Sequence, residues 1–151
     1  MLKEKLKLRW AILCSGTSTD QKSNNISLFG ITDQLNIKRE FFNSLPENKK
    51  GYKIVPIKFE LVTLWDKGSI ENEIKFIAEV SFNDSNNKEV SKMTKELIIP
   101  SGMLRNRFVV NINALGIQKE GDYSFNIKAL DPKSKGLTET YSTPLTVTLK
   151  D

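Results

Sequence analysis

The stretch Glu73-Ile74-Lys75-Phe76-Ile77-Ala78-Glu79-Val80-Ser81-Phe82 decides the fold class of this chain. Ile74, Phe76, Ala78, Val80 and Phe82 fall on one side of an extended backbone, and Glu73, Lys75, Glu79 and Ser81 fall mostly on the other. A period of two is that of a strand with one buried and one solvated face. At 3.6 residues per turn the same apolar residues would scatter around a helix axis. The run before it repeats the pattern, with Val55, Ile57, Phe59, Leu61 and Trp65 in phase and Lys58 and Glu60 out of phase. Asp66-Lys67-Gly68-Ser69 lies between the two runs and reads as a hairpin turn in which Gly68 takes a positive φ.

The alternation extends to both ends of the chain. Leu6, Leu8, Trp10, Ile12 and Cys14 form a first strand, and Ile26, Leu28 and Gly30 a second, reached across a polar loop from Ser15 to Asn25. Leu35 and Ile37 suggest a third. Later strands follow at Leu97 and Ile99, at Phe108, Val110 and Ile112, at Tyr123, Phe125, Ile127 and Ala129, and from Tyr141 to Leu149. A short helix or turn is expected around Glu40 to Leu45. Pro144 falls inside the last strand, where proline belongs only at an edge or a bulge. Strands with one wet face exclude a parallel sheet covered by helices on both sides. The expectation is a single all-β domain over residues 1–151, an immunoglobulin-like antiparallel β-sandwich of eight or nine strands, with a small closed β-barrel as the alternative.

Two stretches add a resemblance. Ala11-Ile12-Leu13-Cys14, a polar loop and Ile26-Ser27-Leu28-Phe29-Gly30 form the first; Asn111 to Gly116 and Gly121-Asp122-Tyr123-Ser124-Phe125 form the second. Together they resemble a family of small bacterial β-sandwich proteins of unknown function, whose opening strand ends in Leu-Cys and whose next hairpin closes on a Leu-x-Gly step. Family members often carry Asp after the Cys, where this chain has Ser15. The resemblance implies a sandwich and no activity. The Gly-x-Tyr entry is also similar to that of immunoglobulin-like strands, in which a Tyr two residues before a core position bonds back across a corner. For Tyr123 that corner and an ordinary core position are both open readings.

Composition narrows the chemistry. Histidine is absent from the 151 residues, which removes the usual general base at neutral pH and the commonest metal ligand. Cys14 is the only cysteine, so no intrachain disulfide forms; this points to a reducing compartment, and the expected location is the cytoplasm. No apolar run approaches the roughly 20 residues of a membrane span, and no membrane association is expected. Cys14 as a nucleophile would need a base or an electropositive pocket, and its parity with Leu8, Trp10 and Ile12 reads instead as a small buried hydrophobe. Asp20, Asp33, Asp66, Glu71, Glu73 and Asp84 are too dispersed for the dense carboxylate spacing of a calcium site. No glycine-rich phosphate loop or nucleophile elbow occurs, and Ser101-Gly102 with Lys95 is not a convergent dyad on spacing alone. No catalytic residue, metal ligand or cofactor is therefore assigned.

Basic residues gather in three segments, each net +3: residues 1–9, 38–53 and 88–107. Against a net charge of +5 over the whole chain, these segments supply the candidate contacts Lys49, Lys50, Lys53, Arg105 and Arg107. Stacking aromatics are few beside them, and lysine also protects exposed edge strands. The expected function is a non-enzymatic protein-interaction or assembly module, with a protein partner or self-association. A basic domain binding polyanions or nucleic acid is the alternative.

Overall fold

In the computed structural model, which describes residues 6–134 and 136–151, ten strands and one short helix account for most of the chain. They are β1 (Lys7–Cys14), β2 (Gly16–Thr19), β3 (Ile26–Phe29), β4 (Gln34–Lys38), α1 (Arg39–Ser44), β5 (Lys53–Asp66), β6 (Ile74–Asn83), β7 (Glu89–Ile99), β8 (Arg105–Ile117), β9 (Gly121–Leu130) and β10 (Leu137–Lys150). The protein is nearly all β, as expected. The strand count exceeds the eight or nine read from the sequence, because Gly16–Thr19, taken as loop, pairs with β3 as a small hairpin.

The strands form a three-stranded sheet in the order β1-β5-β8, a five-stranded sheet in the order β4-β10-β9-β6-β7, and the β2–β3 pair. Leu13, Leu61, Ile112 and Leu115 from the first sheet join Phe76, Val80, Phe125, Ile127 and Leu145 from the second in one cluster of buried apolar side chains. Removing that area from water is the main favourable contribution to folding.

Three expectations are corrected here. The Asp66–Ser69 segment is not a hairpin turn, since β5 and β6 belong to different sheets and the segment carries the chain across between them. Gly68 does adopt the positive φ (75°) that the turn reading required. The pairing is not antiparallel throughout: β4 runs parallel to β10, from Gln34 opposite Thr146 to Lys38 opposite Lys150. The phase of β1 also breaks. A bulge between Leu8 and Trp10 turns Ala11 and Leu13 to the core, leaving Trp10 and Ile12 half-buried on the other face. One extra residue in a strand reverses every side chain beyond it, which uninterrupted alternation cannot foresee.

Other readings agree with the structure. Ile74, Phe76, Ala78, Val80 and Phe82 are all buried, while Lys75 is exposed. Pro144 sits opposite Ser124 of β9 but precedes the β4 pairing, which begins at Thr146, so no ladder bond is lost on that side. Tyr123 donates its hydroxyl hydrogen to the Lys119 carbonyl (2.8 Å) and stacks on Phe82 with ring centroids 5.2 Å apart. Phe125 is buried beside it. The hydroxyl thus bonds back to the backbone four residues upstream while the ring belongs to the core.

Candidate functional site

The two large sheets do not close on each other all the way round. Among the described residues β7 pairs only with β6 and β8 only with β5, so the two strands face each other across a seam with unpaired backbone groups on both edges. Cross-strand register shows what the seam exposes. The core residues Ile74, Phe76, Ala78, Val80 and Phe82 of β6 stand opposite Ile99, Leu97, Lys95, Met93 and Ser91 of β7. All five β7 residues therefore point to the inner side of the sheet. Ile99 and Leu97 are buried there, whereas Lys95, Met93 and Ser91 are exposed, Met93 at 47% of its full area. The three-stranded sheet ends at β8 and offers no fourth strand to cover them.

Two cavities run along this uncovered strip. One of about 370 Å³ has Trp65, Ala78, Val80, Met93, Lys95 and Phe108 among its walls. Its neighbour, of about 320 Å³, shares Val80, Met93 and Asn111 with it and continues to Ile112 and Leu115. The floor is the apolar core itself. The charged residues bordering the two cavities are Lys92, Lys95 and Arg107, all cationic, and of these Lys95 is the one whose register points its side chain inward. Lys95 on an inward position matches a device that keeps edge strands from pairing indiscriminately.

The basic residues expected at a contact surface do not gather in one place. Lys53 and Asp66 are the two ends of β5, about 40 Å of strand apart. Lys49 and Lys50 lie exposed in the turn just before Lys53, whose ammonium donates to the carbonyls of Leu45 (2.9 Å) and Asn43 (3.4 Å) at the end of α1. Arg105 and Arg107 belong to the opposite end, where β8 pairs with the last residues of β5. Arg105 ion-pairs with Asp66 at 2.9 Å and Arg107 donates to the Asn24 carbonyl in the β2–β3 turn. Of the five, Arg107 alone lines the seam. The charges Lys3, Glu4 and Lys5 of the first basic segment lie outside the described residues.

Asp66 is the electrostatic centre of that end. Its carboxylate is almost fully buried and takes Nε of Arg105 (2.9 Å), Nε of Arg9 (3.2 Å) and the Gly68 backbone N–H (2.7 Å). Burial pushes its proton affinity up, but these donors outweigh it and hold the group below the ordinary Asp range. The adjacent Lys67 is also buried, with its ammonium on the carbonyls of Asn72 and Pro100 (2.7 Å for the latter). Among the described residues no three His, Cys, Asp or Glu side chains gather to hold a metal ion, and Asp20 and Asp84 each bond backbone N–H groups of their own turns.

Cys14 is fully buried, as its parity suggested, but on the outer face of the three-stranded sheet and not in the core. There Sγ contacts the Glu60 carbonyl at 3.5 Å, and burial raises the thiol above its usual pKa. A thiol so placed is a poor nucleophile. Gly30, the last residue of the Leu-x-Gly step, has φ 61°, and a Cβ there would meet Ser15 Oγ at 2.2 Å. Ser15 uses that space to bond the Phe29 carbonyl through both Oγ and N, each at 2.9 Å.

The seam was missed by sequence reading, although its signal is present. Ser91, Met93 and Lys95 continue the phase of Leu97 and Ile99, so polar and flexible residues occupy positions that alternation assigns to the core.

No protein-family model matches the chain, and no curated protein matches it. Among solved structures, the chain is similar to the crystal structure of the C-terminal domain of wzt, with a TM-score of 0.55 and 12% sequence identity. The match covers 97% of this chain and 75% of that one. At such identity the likeness speaks to the fold alone. Among the described residues no helix is long and apolar enough to cross a membrane.

Proposed function

We propose that this protein is a non-enzymatic interaction module, an immunoglobulin-like sandwich that captures an extended protein segment as an added strand beside β8. The observation that carries the reading is the uncovered inner strip of β7. A strand paired to the free edge of β8 would extend the three-stranded sheet to four and lie over Ser91, Met93 and Lys95. Six residues, about 20 Å, span that strip. Main-chain hydrogen bonds would supply affinity, and alternate side chains entering the two cavities would supply selectivity. Because Lys95 points into the strip and Lys92 and Arg107 border its cavities, the segment it fits alternates apolar side chains with Asp or Glu.

Several features support the sandwich reading within this proposal. The chain crosses between the two large sheets at β5–β6, β7–β8 and β8–β9, and Tyr123 makes its corner bond at the entry to β9. The dispersal of the five basic residues weighs against the polyanion alternative.

The reading is tested with a panel of decapeptides that alternate apolar and acidic residues, followed by fluorescence anisotropy. Micromolar binding is expected for members of the panel, at least tenfold weaker for Met93→Asp and for Lys95→Glu. Both side chains are exposed, so circular dichroism should remain that of the parent. If no peptide binds, or the two variants bind as the parent does, strand capture at the seam is wrong. Salt-steep binding of mixed-sequence nucleic acid, lost when Arg105 and Arg107 are both changed to Ala, would favour the alternative instead.

A further inference from the structure

The edge of β7 carries a second feature, independent of strand capture beside β8. β7 is 11 residues long, about 36 Å of strand, and among the described residues only its β6 side is paired. An exposed edge of that length is a template for another strand unless its side chains forbid pairing. From Ser91 to Ile99 the register against β6 runs without a break, so the faces of the strand follow from it. Ser91, Met93, Lys95, Leu97 and Ile99 point inward. Lys92, Thr94, Glu96 and Ile98 point outward, and all four are exposed.

Charge separates this edge from the others. β1, β8, β4 and β7 end the two large sheets, and β2 and β3 are both edges of their own pair. β1 carries Lys7 and Arg9, β8 carries Arg105 and Arg107, β4 carries Lys38, and β2 and β3 carry no charge. Paired with a second copy of itself, none of these strands sets a cation opposite an anion. Among the described edges β7 alone has both signs, with Lys92 and Lys95 beside Glu89 and Glu96. Lys92 and Glu96 have no ion-pair partner among the described residues. Four residues of strand, about 13 Å, keep them from reaching each other.

Symmetry then selects the register. Two copies of one edge pair antiparallel about a two-fold axis. An axis between two residues would set inner side chains against outer ones, so it passes through a single residue, which meets its own copy. Lys92, Lys95 or Glu96 on the axis would place like charges face to face, which is destabilising. Met93 on the axis would set Lys92 against Thr94 and Lys95 against Ser91, and no charge would find its opposite. Axes further toward either end leave few residues paired. Thr94 on the axis sets Lys92 opposite Glu96 of the second copy, twice by symmetry, with the two Thr94 side chains between them on the outer face. Inward, Met93 then faces Lys95 and Ser91 faces Leu97, with no like charges opposed. We infer that the protein pairs with a second copy of itself through β7, with the two-fold axis at Thr94, joining two five-stranded sheets into one continuous sheet.

The test uses the full chain in sedimentation equilibrium at low salt. The expected result is a monomer–dimer equilibrium with a Kd on the order of 100 μM or tighter, as suits a small edge contact. Lys92→Glu and Glu96→Lys each set like charges opposite one another in both pairs, so each should weaken the dimer roughly tenfold or more. Both side chains are exposed, and circular dichroism should remain that of the parent. Mixing the two variants in equal amounts should restore a dimer of parental affinity, because every pair again joins opposite charges; a folding defect cannot produce that rescue. Thr94→Cys should oxidise to a covalent dimer, since opposed Cα atoms about 4.5–5.5 Å apart suit a disulfide, whereas Glu96→Cys should not. A chain that stays monomeric at millimolar concentration, a dimer that neither charge variant weakens, or no rescue on mixing would overturn the inference. Crosslinking through Glu96→Cys but not Thr94→Cys would refute the register.

Discussion

Replacing Tyr123 by Phe removes one oxygen and nothing else. That oxygen donates to the Lys119 carbonyl at 2.8 Å and receives the longer contacts of the Gln118 and Lys119 N–H groups at 3.3 and 3.4 Å. The ring is 3% exposed and lies nearly parallel to Phe82, an arrangement that Phe retains, so no cavity opens. One well-formed hydrogen bond contributes about 0.5–1.5 kcal/mol net, and an abandoned partner adds to the loss. Gln118 and Lys119 are exposed, so water recovers part of that penalty. The expected cost is about 1.5 kcal/mol, which for a chain of this length lowers Tm by roughly 3–6 °C. Urea unfolding should show a lower midpoint at constant m. Tyr123→Ala should cost about 3–5 kcal/mol, because the ring is then lost as well. A Phe variant that unfolds with the parent would mean the corner bond contributes nothing net, and the account of how β9 is anchored would fail.

Three further outcomes are expected. Phe76→Asp should abolish cooperative unfolding by forcing a charge into the core beside Trp65, 4.8 Å away, while Lys75→Asp, exposed on the other face, should leave circular dichroism and Tm nearly unchanged; equal tolerance of both would refute the register of β6. Cys14 should react slowly with a thiol reagent in native buffer and rapidly in denaturant, and fast native labelling would contradict its burial. Asp66 has a lowered pKa in the folded state, so its stabilisation is fully present above the unfolded value near 3.9 and is lost as pH falls through the folded value. Asp66→Asn should therefore flatten the acid limb of a stability–pH curve and cost about 1.5–3 kcal/mol at pH 7, at the modest end because Arg9 and Arg105 are half exposed and can return to water; an acid limb unchanged from the parent would refute the role of the Asp66 cluster.

Strand phase was legible wherever alternation ran unbroken, as in β6 and β9, because only a buried face demands such a pattern. It failed in β1, where one bulged residue exchanges the faces and nothing local to Arg9 announces it. It also failed to say which strands are partners. Asp66–Ser69 has the composition of a hairpin turn, yet a turn sequence fixes only the local backbone, and the choice between pairing and crossing is made by packing elsewhere. The Gly-x-Tyr entry could be read as a corner because a tyrosine so near a strand start brings its own partner within a few residues. The seam could not, since three non-core residues at core positions of β7 look like a weak strand until the missing neighbour is seen.

The buried ammonium of Lys67 ties two connections that are far apart in sequence. Asn72 belongs to the segment leading from β5 to β6, and Pro100 to the one leading from β7 to β8. The Lys67 N–H reaches Leu104 in the second segment, and Gly102 N–H reaches back to Ile70 in the first at 2.7 Å. Both passages between the sheets at this end are thus knotted at one point. Neither can loosen without freeing the other, so their amides should exchange with solvent as a single cooperative unit, and the pace of that unit sets how readily the two large sheets part at this end of the molecule.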